Sequence, residues 1–191
     1  MKSAPLVPAT TFDKTVLWSL LSAEGAYLLA FSMLFGMNIW NNFIGGFIVV
    51  RTLPRQQFGM LQAKQFPWFF GISTGLSTFL LSQWLYGHPD VLSNFTQIWN
   101  VNVLQAFTLV VINTMYTLNT LFISPATTRV MFRRHKLERE EKKSHIDADV
   151  SVEMKVLNRR FGMLHGMSSL TTLIATLGTV FHGLWLANHG L

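Results

Sequence analysis

Long apolar runs separated by short polar segments dominate the chain, and they predict helices that cross a membrane. The first run extends from Val16 to Val50 and is interrupted only by Glu24 and a cluster of asparagines. Three later segments are of similar character, and a helix of about 20 apolar residues is long enough to cross the hydrocarbon of a bilayer. We therefore predict an all-α integral membrane protein, a four-helix transmembrane bundle with spans near residues 25–50, 67–86, 98–123 and 161–186.

The first apolar run is longer than one span requires. At the rise of an α-helix, Val16 to Val50 would extend about 50 Å, against roughly 30 Å of hydrocarbon. We predict an N-terminal interfacial helix or extension around residues 13–24, followed by the first span. On this interpretation Glu24 faces lipid head groups, whereas a deeply placed Glu24 would be a proton or cation site.

A charged connector, residues 124–160, separates the third predicted span from the fourth. Its start, Ser124-Pro125, is typical of the first turn of a helix, and Glu138 and Lys142 are spaced to pair on one helical face. We expect the connector to be partly helical. We treat residues 1–191 as a single transmembrane domain, with Pro67 in the first turn of the second span.

The distribution of charge supports four spans and predicts their orientation. Charged residues make up 13% of the chain, whereas soluble domains carry about a quarter. Of the 15 lysines and arginines, ten lie between Arg129 and Arg160 and three lie between Arg51 and Lys64. The positive-inside rule places these two basic connectors in the cytosol and both termini on the luminal or extracellular side. Acidic residues interleave with the basic ones, so we expect no nucleic-acid partner.

Three blocks of sequence carry a resemblance to a known family. The most specific, Gly36 to Pro67, reads GMNIWNNFIGGFIVVRTLPRQQFGMLQAKQFP, and the others are Asn119 to Met131 and Phe161 to Leu170. In these blocks the chain resembles the transmembrane protein 205 family, small four-span proteins of eukaryotes. The resemblance implies a multipass membrane protein without a defined reaction, and one family member is associated with resistance to platinum drugs.

Polar residues inside the apolar runs are the candidate functional residues. Asn38, Asn41 and Asn42 share one helical face, Asn113 lies on the third span, and His165 opens the fourth. Amides in lipid must face the inside of a helix assembly and find partners there. The five residues predict either a polar permeation path or hydrogen bonds that hold the helices together.

Arg51, Arg55 and Lys64 form a basic patch at the predicted membrane surface. We expect this patch to bind anionic lipid head groups, at about 1 kcal/mol for each basic residue. The alternative is a structural pairing with the acidic residues of the connector, which are Glu138, Glu140 and Glu141.

The sequence offers little for catalysis or for a cofactor. It has no cysteine, no carboxylate pair inside the spans and no nucleophile–base motif, so we expect no catalytic residue and no enzyme activity. His165 and His182 would lie about 25 Å apart on one helix and cannot share a metal ion. A weak luminal metal site from His88, His182 and His189 is conceivable, but we assign no metal and no cofactor.

Two functions are compatible with these observations. The first is a non-enzymatic membrane protein that supports transport, export or resistance to a small cationic or metal species through the polar path. The second is a scaffold or assembly subunit of a membrane complex, which binds a protein partner through the basic connector at residues 129–160.

Overall fold

The structure, a computed structural model, describes residues 22–190 and is helical throughout, with no strand in that range. Its helices, which confirm the predicted all-α fold, are α1 (Ala23–Thr52), α2 (Arg55–Gly87), the short α3 (Asp90–Ser93), α4 (Val101–Glu141) and α5 (Val152–His189). The predicted interfacial segment at residues 13–24 lies mostly outside the described residues. Within them, Ser22 caps α1 by accepting a hydrogen bond from the Gly25 backbone N–H at 3.1 Å.

Three helices, α1, α4 and α5, are long and apolar enough to cross a membrane. The fourth long helix, α2, has 33 residues, but its interior carries many hydroxyl side chains, which lower its hydropathy. Ser77 is buried, and Thr74 and Thr78 hydrogen-bond to side chains of α4. These three hydroxyl groups of α2 therefore face a neighbouring helix.

Two helices begin earlier than the sequence predicts. α2 starts directly after Pro54, so Pro67 lies inside the helix and not in its first turn. The added segment packs on α4, because Gly59 is buried against Met131 and His135. α5 starts at Val152, where the Ser151 hydroxyl accepts a hydrogen bond from the Met154 N–H at 3.1 Å. These polar extensions carry no transmembrane signal, so hydropathy alone misses them.

α4 does not end at Ser124-Pro125. A wide π-helical segment, Asn119–Ile123, precedes the proline, and the helix continues to Glu141. Proline lacks the N–H of a normal helical hydrogen bond, and a wide turn is one way to accommodate that loss. A second π-helical segment, Trp40–Gly45, interrupts α1. The connector is thus partly helical, with a loop only between α4 and α5.

Sequential long helices run antiparallel to one another. α2 meets α4 through Thr74 and Thr120 near one end and through Trp84 and the Asn102 carbonyl near the other. We call the end that carries the α1–α2 and α4–α5 connections the basic end, and the other the opposite end. The core that joins α1, α2, α4 and α5 is apolar and includes Leu34, Phe70, Leu80, Leu109, Ile112 and Ala175.

The packing between α1 and α5 changes along the axis. Residues 23–39 of α1 include Tyr27 and Leu34, which are buried against the other helices. The remainder of α1, residues 40–52, contains no buried residue. α5 shows the same pattern, because no residue from 158 to 171 is buried, whereas burial resumes at Thr172. The two helices are thus separated at the basic end.

Candidate functional site

A cavity of about 720 Å³ occupies the space between the separated parts of α1 and α5, and α2 and α4 form its inner wall. We call it the polar cleft. Half of its lining residues are polar, namely Asn41, Asn42, Gln62, Ser124, Thr127, Thr128, His165, Ser168, Ser169, Thr172 and Thr176. Six phenylalanines add apolar faces, namely Phe43, Phe47, Phe58, Phe66, Phe70 and Phe161. Within the described part of the chain, no aspartate, glutamate, lysine or arginine lines the cleft.

Asn38 closes the cleft at its base. It is fully buried, and its Oδ1 accepts hydrogen bonds from the Tyr116 hydroxyl at 2.6 Å, from Thr176 at 3.3 Å and from Asn42 at 3.3 Å. Its own Nδ2 donates to the Leu34 carbonyl at 2.8 Å. Residues of three helices therefore meet at the Asn38 side chain, and the polar lining of the cleft ends there.

Asn119 fastens the wall of the cleft. It lies in the π-helical segment of α4, where its Nδ2 donates to Thr171 Oγ1 at 2.7 Å and its Oδ1 accepts from Ser168 at 2.7 Å. Ser168 also lines the cleft. The hydroxyls of α5 are thereby held in place on the side that faces α4.

The five residues predicted to form a polar path do not all lie at one site. Asn41, Asn42 and His165 line the polar cleft, and Asn38 lies next to it, hydrogen-bonded to Asn42 and Thr176 of the lining. His165 is exposed and stacks on Phe161, with 5.7 Å between the ring centroids. Asn113 lies elsewhere, between α2 and α4.

The Asn113 Nδ2 faces Thr78 Oγ1 at 2.7 Å and Ser77 Oγ at 3.1 Å. At this residue the geometry is that of an interhelical hydrogen bond and not of a path.

The basic patch is also divided. Arg55 forms an ion pair with Glu138, a buried carboxylate at the end of α4. At this residue the alternative prediction, a pairing with the acidic residues of the connector, is the one that the structure shows. Glu138 also accepts hydrogen bonds from the backbone N–H and the Nδ1 of His145, at 2.9 and 3.0 Å. We call Arg55, Glu138 and His145 the basic-end clasp. Arg51 and Lys64 are exposed, and the Arg51 guanidinium lies 3.9 Å from the centroid of the Phe47 ring.

Burial lowers the pKa of His145, and the positive charges of Arg55 and Arg134 lower it further. The nearby Glu138 carboxylate acts in the opposite direction but does not reverse the shift. His145 is thus neutral near pH 7, and its Nδ1–H donates to the carboxylate. His145 also accepts a hydrogen bond from Asn158 at its carbonyl, at 2.7 Å, which attaches α5 to the clasp.

The opposite end contains a buried polar cluster that sequence reasoning did not find. His182 is fully buried, and its two ring nitrogens contact the Tyr27 hydroxyl at 2.6 Å and Gln105 Oε1 at 2.8 Å. An amide oxygen only accepts, so Nδ1 carries the proton and the tyrosine hydroxyl donates to Nε2 of a neutral ring. Three different helices supply the three residues, and no local motif marks such an arrangement.

This cluster bears on the conceivable metal site at the same end. Both nitrogens of His182 are occupied by protein partners, while His88 stacks on Trp84 and His189 stacks on Trp185. Among the described residues, no group of three or more histidine, cysteine or acidic side chains could hold a metal ion.

Comparison with known proteins places this architecture in a family. The model of a family described as "Domain of unknown function (DUF4149)" matches residues 29–136, which is more than half of the chain. The chain belongs to this family. The matched range includes the cleft residues of α1, α2 and α4 and ends before α5.

A second comparison confirms the resemblance predicted from the three sequence blocks. The chain is 28% identical over 114 residues to the Transmembrane protein 205 of Danio rerio. The alignment covers 60% of this chain and 58% of that protein, so it spans less than two thirds of the relative's length. No solved structure matches the chain. The chain is therefore an integral, multi-pass membrane protein of the transmembrane protein 205 type.

Proposed function

We propose that this chain is a four-span membrane protein that binds a small amphiphilic molecule in the polar cleft and supports its transport or export. The observation that carries the proposal is the cleft itself. Its volume of about 720 Å³ falls within the range of roughly 300–1,000 Å³ that is typical of small-molecule sites. Its lining combines phenylalanine faces with amides and hydroxyls, a combination that suits a molecule with one apolar and one polar part.

The four-span part of the proposal rests on α2. Its length of 33 residues exceeds what a bilayer requires, and it runs antiparallel to both α1 and α4. Three of its hydroxyls, those of Thr74, Ser77 and Thr78, hydrogen-bond to α4 and therefore do not oppose insertion. With four spans, the positive-inside rule places the basic end in the cytosol and both termini on the other side.

The lining of the cleft narrows the class of solute. Metal ions are bound in proteins mainly by carboxylates, imidazoles and thiolates, and the described lining supplies a single histidine and no acid. The lining therefore favours an amphiphile over the metal species that we expected from the sequence.

The shape of the cleft favours exchange with the bilayer. Asn38 and its partners close the base, whereas the separated parts of α1 and α5 leave the side open. We infer that the molecule enters and leaves laterally, between α1 and α5, and passes to or from the side of the basic end.

Single cysteines test the four-span topology, because the chain has no cysteine of its own. We expect cysteines at Gln57 and Ser144 to react with a membrane-impermeant maleimide from one side of sealed vesicles, and a cysteine at Gln97 to react only from the other side. Reaction of Gln57 and Gln97 variants from the same side would contradict a membrane-crossing α2.

A photoreactive probe tests the cleft. We expect a diazirine-bearing hexadecanol, added to the protein in phosphatidylcholine nanodiscs, to cross-link to residues that line the cleft. Ser169→Trp should abolish this labelling, because Ser169 lines the cleft, whereas Leu170→Trp should not, because Leu170 is 59% exposed and does not line it. Equal labelling of both variants would exclude the cleft as the site.

Transport itself is measured by the rate at which a fluorescent long-chain alcohol passes from donor vesicles into vesicles that contain the protein. The unmodified protein should raise this rate, and Ser169→Trp should remove the increase while Leu170→Trp retains it. An increase that survives in Ser169→Trp would separate transport from the cleft.

A second candidate function, the scaffold, is favoured by apolar residues exposed on the charged connector. Ile146 and Val152 are each 78% exposed and Val156 is 61% exposed, outside the apolar parts of the helices. Replacing all three by serine should remove a cross-linked protein partner in membranes and leave probe labelling in the cleft intact. Retention of every cross-linked partner would count against this function.

A further inference from the structure

Arg134 is the most unusual charged residue near the polar cleft. Only 6% of it is exposed, and its Nε is buried with no hydrogen-bond partner among the described residues. No carboxylate of the described chain lies within ion-pair distance of it, unlike Arg55 and Arg133. A buried charge without a partner is costly, so such a residue calls for an explanation.

The neighbouring carboxylate does not supply the missing partner. Glu138 is already bound by Arg55, by both the backbone and side chain of His145 and, at 3.3 Å, by Gln56. Arg55 balances the single negative charge of Glu138, and the charge of Arg134 is left over. This cluster therefore holds one buried positive charge in excess.

Arg134 lies beside the basic end of the cleft, next to one of the lining residues. Its guanidinium lies 4.5 Å from the centroid of the Phe161 ring, and Phe161 lines the cleft. On α1, Arg51 lies over Phe47, which also lines the cleft. Two arginines thus stack on two lining phenylalanines, one from α4 and one from α1, and stacking fixes the plane of each guanidinium.

We propose that the polar cleft binds a single-chain amphiphile with an anionic head group, a carboxylate or a phosphate, and that Arg134 is the principal contact of this head group. The proposal rests on the proposed function and names its class of substrate. A guanidinium presents paired N–H donors that match the paired oxygens of either group. Arg51 contributes a second, exposed contact at the rim, and the tail lies against Phe47, Phe66 and Phe70 and emerges between α1 and α5.

This site differs from a general attraction of basic residues to anionic lipids. Surface attraction requires exposed side chains such as Lys64, whereas Arg134 is only 6% exposed and lies against Phe161, a residue of the cleft lining. A cation is disfavoured at the same place, because the described lining has no acid and the nearest unpaired charge is positive.

The experiment compares three photoreactive probes with the same diazirine-bearing hexadecyl tail and different heads: a carboxylate, a phosphate and the neutral alcohol. Each is added to the full-length protein in phosphatidylcholine nanodiscs, with and without excess phosphatidylserine as a competitor. We expect at least one anionic probe to label the cleft roughly tenfold more strongly than the alcohol, since hydrogen bonds to charged groups are the stronger ones. Bulk phosphatidylserine should compete weakly.

Arg134→Gln should remove the preference for the anionic probe and leave labelling by the alcohol unchanged, which also shows that the variant is folded. Arg139→Gln is the matched control, because Arg139 is an exposed arginine on the same helix with no ion pair in the described structure. It should retain the full preference. Arg51→Gln should reduce the preference by a smaller factor.

A stability measurement separates a binding role from a structural one. In the absence of any probe, Arg134→Met should unfold at a higher temperature than the unmodified protein, since an unpartnered buried charge is replaced by an apolar side chain of similar length. A lower unfolding temperature together with equal loss of all three probes would show that Arg134 is structural and would overturn the proposal.

The outcomes also distinguish this proposal from the one it rests on. If all three probes label the cleft equally in the unmodified protein, the anionic class is wrong and the amphiphile site stands. If phosphatidylserine competes as well as the free probes, the site is an ordinary lipid contact and the single-chain class is wrong. If no probe labels a cleft residue, the proposed function fails together with the inference.

Discussion

The two ends of this molecule are built from the same helices but are packed in opposite ways. At the opposite end, α1 contributes Tyr27 to a buried hydrogen-bonded cluster with Gln105 and His182. At the basic end, no residue in 40–52 of α1 is buried, and no residue in 158–171 of α5 is buried. One helix pair thus holds the assembly together in one half and leaves an open cleft in the other.

The glycines of α5 show the same contrast at the level of single atoms. A Cβ built on Gly178 would lie 2.8 Å from Ile112, and one on Gly183 would lie 2.5 Å from Phe31. At Gly162 and Gly166 a Cβ would meet nothing within 4 Å. Small residues allow helices to approach closely at the opposite end, whereas at the basic end the space beside them is open.

We expect the largest effect on stability from replacing His182, which is the centre of the buried polar cluster at the opposite end. His182→Ala leaves Tyr27 and Gln105 without their partner and opens a cavity, which should lower the free energy of unfolding by roughly 3–5 kcal/mol. Unfolding in mixed detergent micelles measures it. Asn42→Ala is the control at the basic end, where we expect less than about 0.5 kcal/mol, and equal losses would contradict the contrast between the two ends.

Replacing a glycine of α5 by alanine should change the free energy of unfolding in opposite directions at the two ends. Gly178→Ala forces Ile112 to move and should cost about 1–3 kcal/mol. Gly166→Ala meets open space and should stabilise α5 by about 0.5–1 kcal/mol, because alanine is the better helix former. The same unfolding assay gives both values. Two variants that shift stability in one direction would show that the ends are packed alike.

The basic-end clasp should contribute a smaller amount. Glu138→Gln weakens the pair with Arg55, whose side chain is 41% exposed, so we expect a loss of about 1–2 kcal/mol, below that of a fully buried pair. Glu153→Gln is the matched control, since its pair with Arg133 is exposed on both sides. It should cost less than about 0.5 kcal/mol, and the reverse order would show that the clasp is not buried.

The smallest expected effect is a dependence on pH that originates in His145. Its pKa is lowered by burial in the folded protein, so the unfolded chain takes up the proton more readily. The contribution of neutral His145 to stability is complete above its ordinary pKa of about 6.5 and decreases as the pH falls below that value. Unfolding temperatures measured between pH 7.5 and 5 should fall less in His145→Asn than in the unmodified protein, and parallel curves would contradict this.

The sequence predicted the helical architecture well and the helix limits poorly. Apolar runs mark the central parts of the long helices, so the middles of α1, α2, α4 and α5 were predictable. The polar extensions of α2 before Phe66 and of α5 before Phe161 were not, because each packs on the end of α4, and such contacts leave no local pattern.

The candidate site was predicted in part for a similar reason. Amides in an apolar run are conspicuous, and Asn41 and Asn42 line the cleft, while the buried Asn38 accepts a hydrogen bond from Asn42. Arg134 is one of ten basic residues in a charged stretch, and nothing in the sequence separates it from its neighbours. Its burial arises from packing against Phe161 on another helix, which only the tertiary structure reveals.

The π-helical segment of α1 has a consequence for how this site arises in the chain. A single wide turn is equivalent to one inserted residue, which rotates everything beyond it by about 100° around the helix axis. The direction in which Phe47 and Arg51 point is therefore set by the segment Trp40–Gly45, which precedes them. Deleting one residue there would turn the rest of α1, including Phe47 and Arg51, away from the cleft. A single deletion would thus disrupt the site although Phe47 and Arg51 remain in the chain.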